Sequence, residues 1–302
     1  MSRYDGPIID SHHHIFWDLE ANYPWMSKPM RPMIFGDDWS ALKQEYSVAD
    51  LKADFEPHNV VQSVHVQANF DITRPEDETA GLQAMADADG FPNGIVAYAD
   101  LTDPSLETVL DKHLAHANTR GIRQQVYWHP ENEYWRYVDR ADFCLSTSFR
   151  RGLSILADKG LTFDFQGFAS QFGDLAMLAK ECANLNICLV HAGMLTSTDE
   201  GAVAEWKEAL AVLKPCENVF IKVSGLNTFT RTVDADIMGI AANTVLDMFG
   251  PERCFFGSNY PVERMWTSFE GYVSTQKDVL ADRSEAEQTK FFHDTARGFY
   301  NL

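Results

Sequence analysis

The sequence predicts an α/β protein, a single (β/α)8 TIM barrel spanning residues 1–302. Eight short apolar runs recur along the chain, helix-like stretches separate them, and polar or glycine-containing clusters follow them. Most runs are continuously apolar, as parallel strands buried on both faces are. A closed barrel is the simplest solution for such alternation. The alternative is a doubly wound open sheet, but no Gly-rich Rossmann or Walker loop follows any run.

The candidate strands are short, and most are rich in Val, Ile and Phe. They are Pro7–Asp10, Ser63–Ala68, Gly94–Ala99, Ile122–Tyr127, Leu161–Phe165, Ile187–His191, Val219–Val223 and Cys254–Gly257. Several of the segments between them begin with Pro or Asp and end near Gly or Asn, which is typical of helices. The predicted helices are Pro75–Asp89, Pro104–Ala117, Ser146–Lys159, Ala169–Asn184, Asp199–Leu213, Asp234–Phe249 and a closing helix, Ser284–Tyr300.

One long segment, Trp17–Ser47, breaks this alternation after the first strand. It carries six aromatic residues and three prolines. Loops of this length are uncommon in compact domains and often cover a binding site. We therefore expect a lid over the catalytic end of the barrel, or packing against the barrel rim or a neighbouring subunit.

The composition argues against several classes of protein. The chain has 25 Lys and Arg against 44 Asp and Glu, and its net charge of −19 repels nucleic acid and anionic membranes. A small anionic substrate stays compatible, because a few cations in a pocket outweigh screened surface charge. The five cysteines are never spaced C-x-x-C and are expected to be reduced core residues. With no signal peptide or apolar span visible, we expect a cytoplasmic protein, and a homo-oligomer stays open.

Three histidines follow the first apolar run, in Asp10-Ser11-His12-His13-His14. Residues i and i+2 of a strand point to the same side, so His12 and His14 converge at the barrel mouth while His13 turns away. Two imidazoles at one point suit a metal ion or a polarised carbonyl. The alternative is that they are ordinary buried histidines bonded to backbone carbonyls.

Polar residues also lie at the ends of other predicted strands, where barrel enzymes build their active sites. Together these residues would line one opening of the barrel, which suits a small-molecule substrate. These residues are Gln67, Arg123, Gln125, Asp164, Gln166, His191, Lys222, Ser224, Ser258 and Asn259.

Six motifs occur in a characteristic order along almost the whole chain. They are Asp10-Ser11-His12-His13-His14, Tyr23-Pro24-Trp25, Gly121-Ile122-Arg123, His191-Ala192-Gly193, Lys222-Val223-Ser224-Gly225 and Phe256-Gly257-Ser258-Asn259-Tyr260-Pro261. In these motifs the chain resembles the amidohydrolase-related group (amidohydrolase 2) of the amidohydrolase superfamily. That group contains sugar-acid lactonases, 2-pyrone-4,6-dicarboxylate lactonase and related decarboxylases.

The resemblance implies that His12, His14 and His191 meet at the centre of the barrel. They would either bind one weakly held divalent metal, zinc or manganese, or polarise the substrate carbonyl without a metal. Arg123 matches the residue that grips a substrate carboxylate, which suits a bidentate guanidinium; an ion pair at the rim is the alternative. A structural role is equally open for Lys222. The remaining expected substrate-binding residues are Gln67, Gln166, Lys222 and Asp164.

Asn259 departs from the family pattern, which places Asp at the end of strand eight as metal ligand and base. Asn cannot ionise, so it cannot act as a general base, and it holds a cation less firmly. Three interpretations of Asn259 are open. In the first, Asn259 hydrogen-bonds the attacking water, while Asp164, Glu263 or one of the three histidines takes the proton. In the second, the chain belongs to a subgroup that binds a metal weakly and catalyses a different reaction. In the third, the site has lost hydrolysis and only binds its ligand.

We expect a hydrolase that opens a cyclic ester, a carboxylate-bearing or sugar-derived lactone. Water would attack a carbonyl polarised by the three histidines, with or without a divalent metal. One alternative is a metal-dependent non-oxidative decarboxylase of the same superfamily. The other is a non-catalytic small-molecule binding protein on this scaffold.

Overall fold

The computed structural model describes residues 3–30 and 32–302. Within these residues eight parallel strands form one sheet in the order β1 to β8. This sequential order confirms the predicted (β/α)8 barrel and excludes a doubly wound sheet, whose strand order reverses at a switch point. The strands are β1 Ile8–His13, β2 Val60–Val66, β3 Gly94–Ala97, β4 Thr119–Ile122, β5 Thr162–Phe165, β6 Ile187–Leu189, β7 Val219–Val223 and β8 Cys254–Phe256.

The helices surround this barrel, and every predicted helix is present. Helix α4 has the predicted bounds, while α6 and α10 begin one residue late because Ser146 and Asp234 cap their first turns. The sequence did not predict α1, α2, α3, α9 or α11. The helices are α1 Leu19–Asn22, α2 Pro24–Ser27, α3 Val48–Phe55, α4 Pro75–Asp89, α5 Leu106–Leu114, α6 Thr147–Asp158, α7 Phe172–Glu181, α8 Glu200–Ala211, α9 Asn227–Thr230, α10 Ala235–Phe249, α11 Phe269–Val279, α12 Glu285–Thr289 and α13 Thr295–Tyr300.

The fourth strand begins and ends earlier than predicted. It pairs with β3 and β5 through residues up to Ile122, and it therefore ends immediately before Arg123. Beyond that point the Gln124 side chain accepts a hydrogen bond from the Leu101 backbone at 2.9 Å. Arg123 N still donates to Ala97 O at 2.8 Å, so the backbone ladder gives way to side-chain hydrogen bonding only after Arg123. The other strands agree with the predicted runs to within three residues.

The barrel closes where β1 meets the segment that follows β8. We call this contact the β1–β8 seam, and it consists of backbone and side-chain hydrogen bonds between the first and last of the six sequence motifs. Ser11 Oγ donates to Phe256 O, Asn259 N to His12 O at 2.6 Å, His14 N to Tyr260 O at 2.8 Å, and Ser258 N and Oγ to the Asp10 carboxylate at 2.8 and 2.5 Å.

The interior of the barrel is filled by side chains from the strands and from the C-terminal helix. Leu302 lies beside Gly94, the first residue of β3, so the C-terminal residues cover the amino end of the barrel. This leaves the carboxyl ends of the strands for a site. The interior cluster contains Ile9, Val64, Val66, Val96, Cys188, Val190, Phe255, Ala296, Phe299 and Tyr300.

All five cysteines are buried and free of disulfide bonds, as predicted. In residues 3–30 and 32–302 no helix has the length and apolar character that crossing a bilayer requires. The core therefore depends on packing and hydrogen bonding.

A buried ion pair ties β5, β7 and α13 together inside the barrel. Lys222 Nζ donates to Asp164 Oδ2 at 2.7 Å and to the Tyr300 hydroxyl at 2.6 Å, and the Tyr300 hydroxyl lies 2.9 Å from Asp164 Oδ1. Lys222 and Asp164 are both fully buried. Each charge is therefore compensated within the fold.

We expect Lys222→Met to destabilise the protein by about 3–5 kcal/mol, because Asp164 would be left buried without its cation. The double variant Lys222→Met, Asp164→Leu should recover much of that loss. Urea unfolding of the two variants and the wild type measures both effects. Equal destabilisation by the single and double variants would contradict a compensating role for Lys222.

Candidate active site

A cavity of about 100 Å³, the inner pocket, lies at the carboxyl ends of the strands. Five of the polar side chains that line it each follow a different strand, as expected for a barrel active site. His14 follows β1, Arg123 follows β4, Gln166 follows β5, His191 follows β6 and Asn259 follows β8.

The structure brings the three predicted histidines together. The ring centroids of His12 and His14 are 5.2 Å apart, and those of His12 and His191 are 4.8 Å apart. His14 and His191 line the inner pocket, whereas His12 is fully buried between them. His13 points away, as predicted, with its Nε2 2.9 Å from Ser63 Oγ.

Burial keeps these imidazoles neutral. It lowers the pKa of His12 and His14 well below the usual range, and nearby cations lower both further. His14 Nδ1 donates to Val66 O at 2.6 Å, so the neutral ring has its lone pair on Nε2. That nitrogen lies 3.3 Å from the side-chain amide of Asn259.

Ser224 and Gly225, which directly follow β7, hold the His191 side chain in place. His191 Nδ1 lies 2.9 Å from Ser224 Oγ, which leaves Nε2 on the side of the pocket. A Cβ atom on Gly225 would lie 2.5 Å from His191 Nδ1, and Gly225 has a φ of +64°, so only glycine fits there. Burial, Arg123 and Lys222 lower the pKa of His191 to about 3.

Arg123 is a buried cation without a carboxylate partner in the part of the chain that the structure describes. One of its terminal nitrogens donates to Gln67 O, and Nη1 lies 3.5 Å from His12 Nε2. Its Nε has no hydrogen-bond partner among residues 3–30 and 32–302. Burial lowers the pKa of Arg123 to about 10, so it stays protonated at neutral pH. The nearby Asp164 is already bonded to Lys222.

Asn259 stands between the pocket and a buried carboxyl group. Its φ of 59° is left-handed, a conformation that Asn adopts more readily than most residues. Behind it, Glu263 Oε2 accepts a hydrogen bond from Asn227 Nδ2 at 2.7 Å. Burial raises the pKa of Glu263 to about 8, and hydrogen bonds from Asn227 and Asn259 offset only part of that effect. The neutral acid therefore predominates at pH 7.

Three residues expected to bind substrate do not line the inner pocket. Lys222 and Asp164 are joined to each other below it, because the strand pleat directs both into the barrel interior. Gln67 is also fully buried, and its amide donates to Arg123 O at 3.1 Å. Gln67 thus supports the backbone of Arg123. Of the five residues expected to bind substrate, only Arg123 and Gln166 line the inner pocket.

The aromatic loop after β1 covers the inner pocket with Trp25, Met33, Ile34 and Phe35. This agrees with the lid interpretation. Sequence reasoning missed a second group of lining residues, Asn69, Tyr127, Tyr137, Thr228 and Phe229. The long aromatic segment after β4 is a signal that could have found two of them, because loops at this end of a barrel build its site.

The site does not fit a firmly bound divalent metal. An ion on His12 Nε2 would face the Arg123 guanidinium 3.5 Å away. Asn259 is uncharged, and the pKa of Glu263 keeps that carboxyl neutral at pH 7. Across the described ranges no three His, Cys, Asp or Glu side chains are placed to hold an ion. His12, His14 and His191 would offer imidazoles alone, so we derive no step through a metal.

The fold and the site together define a class, the (β/α)8-barrel enzymes whose polar site lies at the carboxyl ends of the strands. A comparison with known families then identifies the family. The family model described as amidohydrolase matches residues 9–302, so the chain belongs to the amidohydrolase family.

Relatives of this chain include proteins named as lactonases. It is 35% identical to the uncharacterised protein y4mH of Sinorhizobium fredii, over 99% of each chain. It is 29% identical to the L-fucono-1,5-lactonase of Burkholderia multivorans, over 97% of this chain and 96% of that one. A crystal structure of a B. multivorans amidohydrolase with bound zinc has a TM-score of 0.80 and 26% identity, covering 98% of this chain and 100% of that one.

We expect Glu263 to make the free energy of unfolding depend on pH. Its folded pKa of about 8 exceeds the 4.5 of an exposed glutamic acid. The folded protein therefore holds a proton that the unfolded chain has lost, and stability falls as pH rises from about 4.5 to about 8. Between pH 6.5 and 8 the urea midpoint of the wild type should fall relative to that of Glu263→Gln. This difference removes the contribution of the buried histidines, whose lowered pKa makes stability rise with pH over part of the same range.

The exposed Glu217→Gln variant is the matched control and should follow the wild type. A difference between wild type and Glu263→Gln that stays constant over this range would contradict the raised pKa. Asp10, whose pKa burial raises to about 6, titrates largely below this range.

Proposed function

We propose that this enzyme is a lactonase that opens a cyclic ester by adding water to its carbonyl, and that the substrate carries a carboxylate. The observation that carries the proposal is the buried, unpaired Arg123 guanidinium beside neutral imidazoles in the inner pocket. The relatives named as L-fucono-1,5-lactonases support the reaction class.

The charge of Arg123 is what favours an anionic substrate. A buried cation is costly unless a counter-ion compensates it. Lys222 has Asp164 for this purpose, whereas Arg123 has no ion pair among the residues that the structure describes. A substrate carboxylate in the inner pocket would supply the missing charge, and a guanidinium binds a carboxylate with two parallel hydrogen bonds.

His191 is the residue we assign as the proton acceptor. With Nδ1 held by Ser224, its Nε2 lone pair is available to take a proton from the attacking water. A bond forms between the water oxygen and the carbonyl carbon, and the carbonyl oxygen becomes negatively charged. The imidazolium that results stabilises this oxyanion, then returns the proton to the ring oxygen as the ester bond breaks. The product is a hydroxy acid.

Asn259 has a positioning role in this scheme. Its amide lies 3.3 Å from His14 Nε2 and also lines the pocket. It offers both a donor and an acceptor to the water without carrying a charge. Because Asn259 is not a carboxylate, it does not neutralise the positive charge of Arg123.

The test is a pH-indicator assay of lactone hydrolysis, with sugar lactones and unsaturated carboxylated lactones as substrates. We expect His191→Ala to lower kcat by 10²–10⁴-fold, the usual contribution of a general acid–base residue. His113→Ala is the matched control, because His113 is equally buried but lies outside the pocket, bonded to Thr79. Full activity in His191→Ala would contradict the assignment.

The same assay runs with EDTA and with added zinc or manganese. Turnover should survive the chelator, because no step in this scheme uses a metal. Activity that is lost in EDTA and restored by zinc would overturn the metal-free scheme. If no lactone is hydrolysed under any metal condition, the lactonase proposal itself fails.

Arg123→Met should discriminate between charged and uncharged lactones. Losing charge-assisted hydrogen bonds should raise KM about 10- to 100-fold for a carboxylated lactone, and much less for an uncharged one. Arg120→Met, three residues earlier and on β4, is the matched control, because the Arg120 side chain donates to backbone carbonyls of Ala117 and Thr119 instead. An equal loss for both kinds of lactone would contradict a carboxylate-binding role.

A further inference from the structure

A second, larger cavity opens outward from the inner pocket. We call it the outer vestibule; its volume is about 580 Å³. The two cavities are contiguous, because six side chains line both of them. These six, the collar, are Trp25, Met33, Ile34, Asn69, Tyr127 and Tyr137.

The inner pocket alone is smaller than most ligand sites. Ligand cavities usually measure about 300–1,000 Å³. The inner pocket has about 100 Å³, and only the vestibule brings the space into this range. A ligand that fills the site therefore places a small head group inside and a larger remainder outside the collar.

The two cavities differ in the chemistry of their walls. The polar groups Arg123, Gln166, His191 and Asn259 lie in the inner pocket and do not reach the vestibule. Beyond the collar, the vestibule wall adds apolar and aromatic side chains. They include Phe70, Ile72 and Tyr134, and the charged side chains of Lys28, Asp71, Glu133 and Arg136 lie beside them.

Several of these side chains are exposed although they are apolar. Ile72 is 57% exposed, Tyr134 53% and Tyr137 42%, and all three line the vestibule. Apolar side chains that stay exposed around one opening mark a surface that a ligand covers.

Asp71 and Arg136, two of the four charged side chains that line the vestibule, already have partners. Asp71 accepts hydrogen bonds from Thr73 and Arg74. Arg136 stacks on the Trp128 ring, 4.4 Å from its centroid, and donates to the backbone oxygen of His129 at 2.7 Å. These two charges therefore do not require a polar ligand.

The collar is also held rigidly. Trp25 Nε1 donates to Ala68 O at 3.1 Å, and the Trp25 ring packs against Trp39 at 5.5 Å between centroids. The Tyr137 hydroxyl donates to Asn69 Oδ1 at 3.1 Å across the opening. An aromatic wall fixed in this way binds a flat or extended apolar group at little entropic cost.

We propose that the substrate carries an extended apolar substituent, alkyl or aryl, that occupies the outer vestibule while its carboxylate and ester ring occupy the inner pocket. This inference rests on the proposed lactonase function and narrows its substrate class. It favours an apolar-substituted lactone acid over a compact, polyhydroxylated sugar lactone, which would leave the exposed Ile72, Tyr134 and Tyr137 side chains uncovered.

The experiment measures binding, so that it does not depend on turnover. The probes are straight-chain alkanoates from butanoate to decanoate, 4-phenylbutanoate, and L-fuconate, titrated by calorimetry into the full-length protein. Each added methylene should lower Kd about two- to fourfold until the vestibule is filled, as burial of one methylene predicts. L-Fuconate should bind more weakly than octanoate.

The double variant Ile72→Ser, Tyr134→Ser should reduce this dependence on chain length. Both side chains are largely exposed, so their replacement leaves the core intact. Met177→Ser, an exposed apolar residue on α7 outside both cavities, is the matched control and should keep the wild-type dependence.

A Kd that is independent of chain length, or L-fuconate binding more tightly than every alkanoate, would overturn the inference. It would leave the lactonase proposal standing if sugar lactones are hydrolysed in the assay above. Conversely, chain-length-dependent binding without hydrolysis of any lactone would support the apolar subsite and remove the lactonase proposal.

Discussion

The β1–β8 seam is the contact on which the site depends. Asp10, buried between the first and last strands, accepts both the backbone N–H and the hydroxyl of Ser258. The neighbouring backbone bonds place His12 and His14 opposite Asn259. The same hydrogen bonds therefore close the barrel and set the distance between the groups of the site. A Cβ on Gly257 would lie 2.7 Å from His12 Cβ, which shows how close the two strands are here.

Lys222 and Arg123, the two buried cations on or directly after barrel strands, have different electrostatic surroundings and therefore different roles. Lys222 is neutralised by Asp164 and hydrogen-bonded to Tyr300, so its charge is satisfied by the fold. Arg123 is left without such a carboxylate in the described residues. Both cations lower the pKa of His12 and His191, after burial itself. The histidines thus stay neutral, and positive charge is kept in one place where a ligand can meet it.

The sequence predicted the barrel because its strands are nearly uninterrupted apolar runs with capped helices between them. It also predicted the convergence of His12, His14, His191 and Asn259, since side chains after parallel strands meet at one edge. It could not assign Lys222, because lysine after an apolar run has the same pattern whether it faces a ligand or a buried Asp164. Tyr137 was missed because it follows no strand, and only the folded loop after β4 brings it to the pocket.

The left-handed backbone at Asn259 restricts which residues evolution or design can use at this position. At a φ of 59°, β-branched and bulky side chains are strained, and Asn, Asp and Gly are the residues that remain readily accessible. Asn and Asp have almost the same shape. Exchanging Asn for Asp at this position replaces one side-chain nitrogen by an oxygen. That single atom decides whether the centre of the barrel carries a negative charge. Related barrels can diverge in chemistry through that exchange while the surrounding backbone stays unchanged.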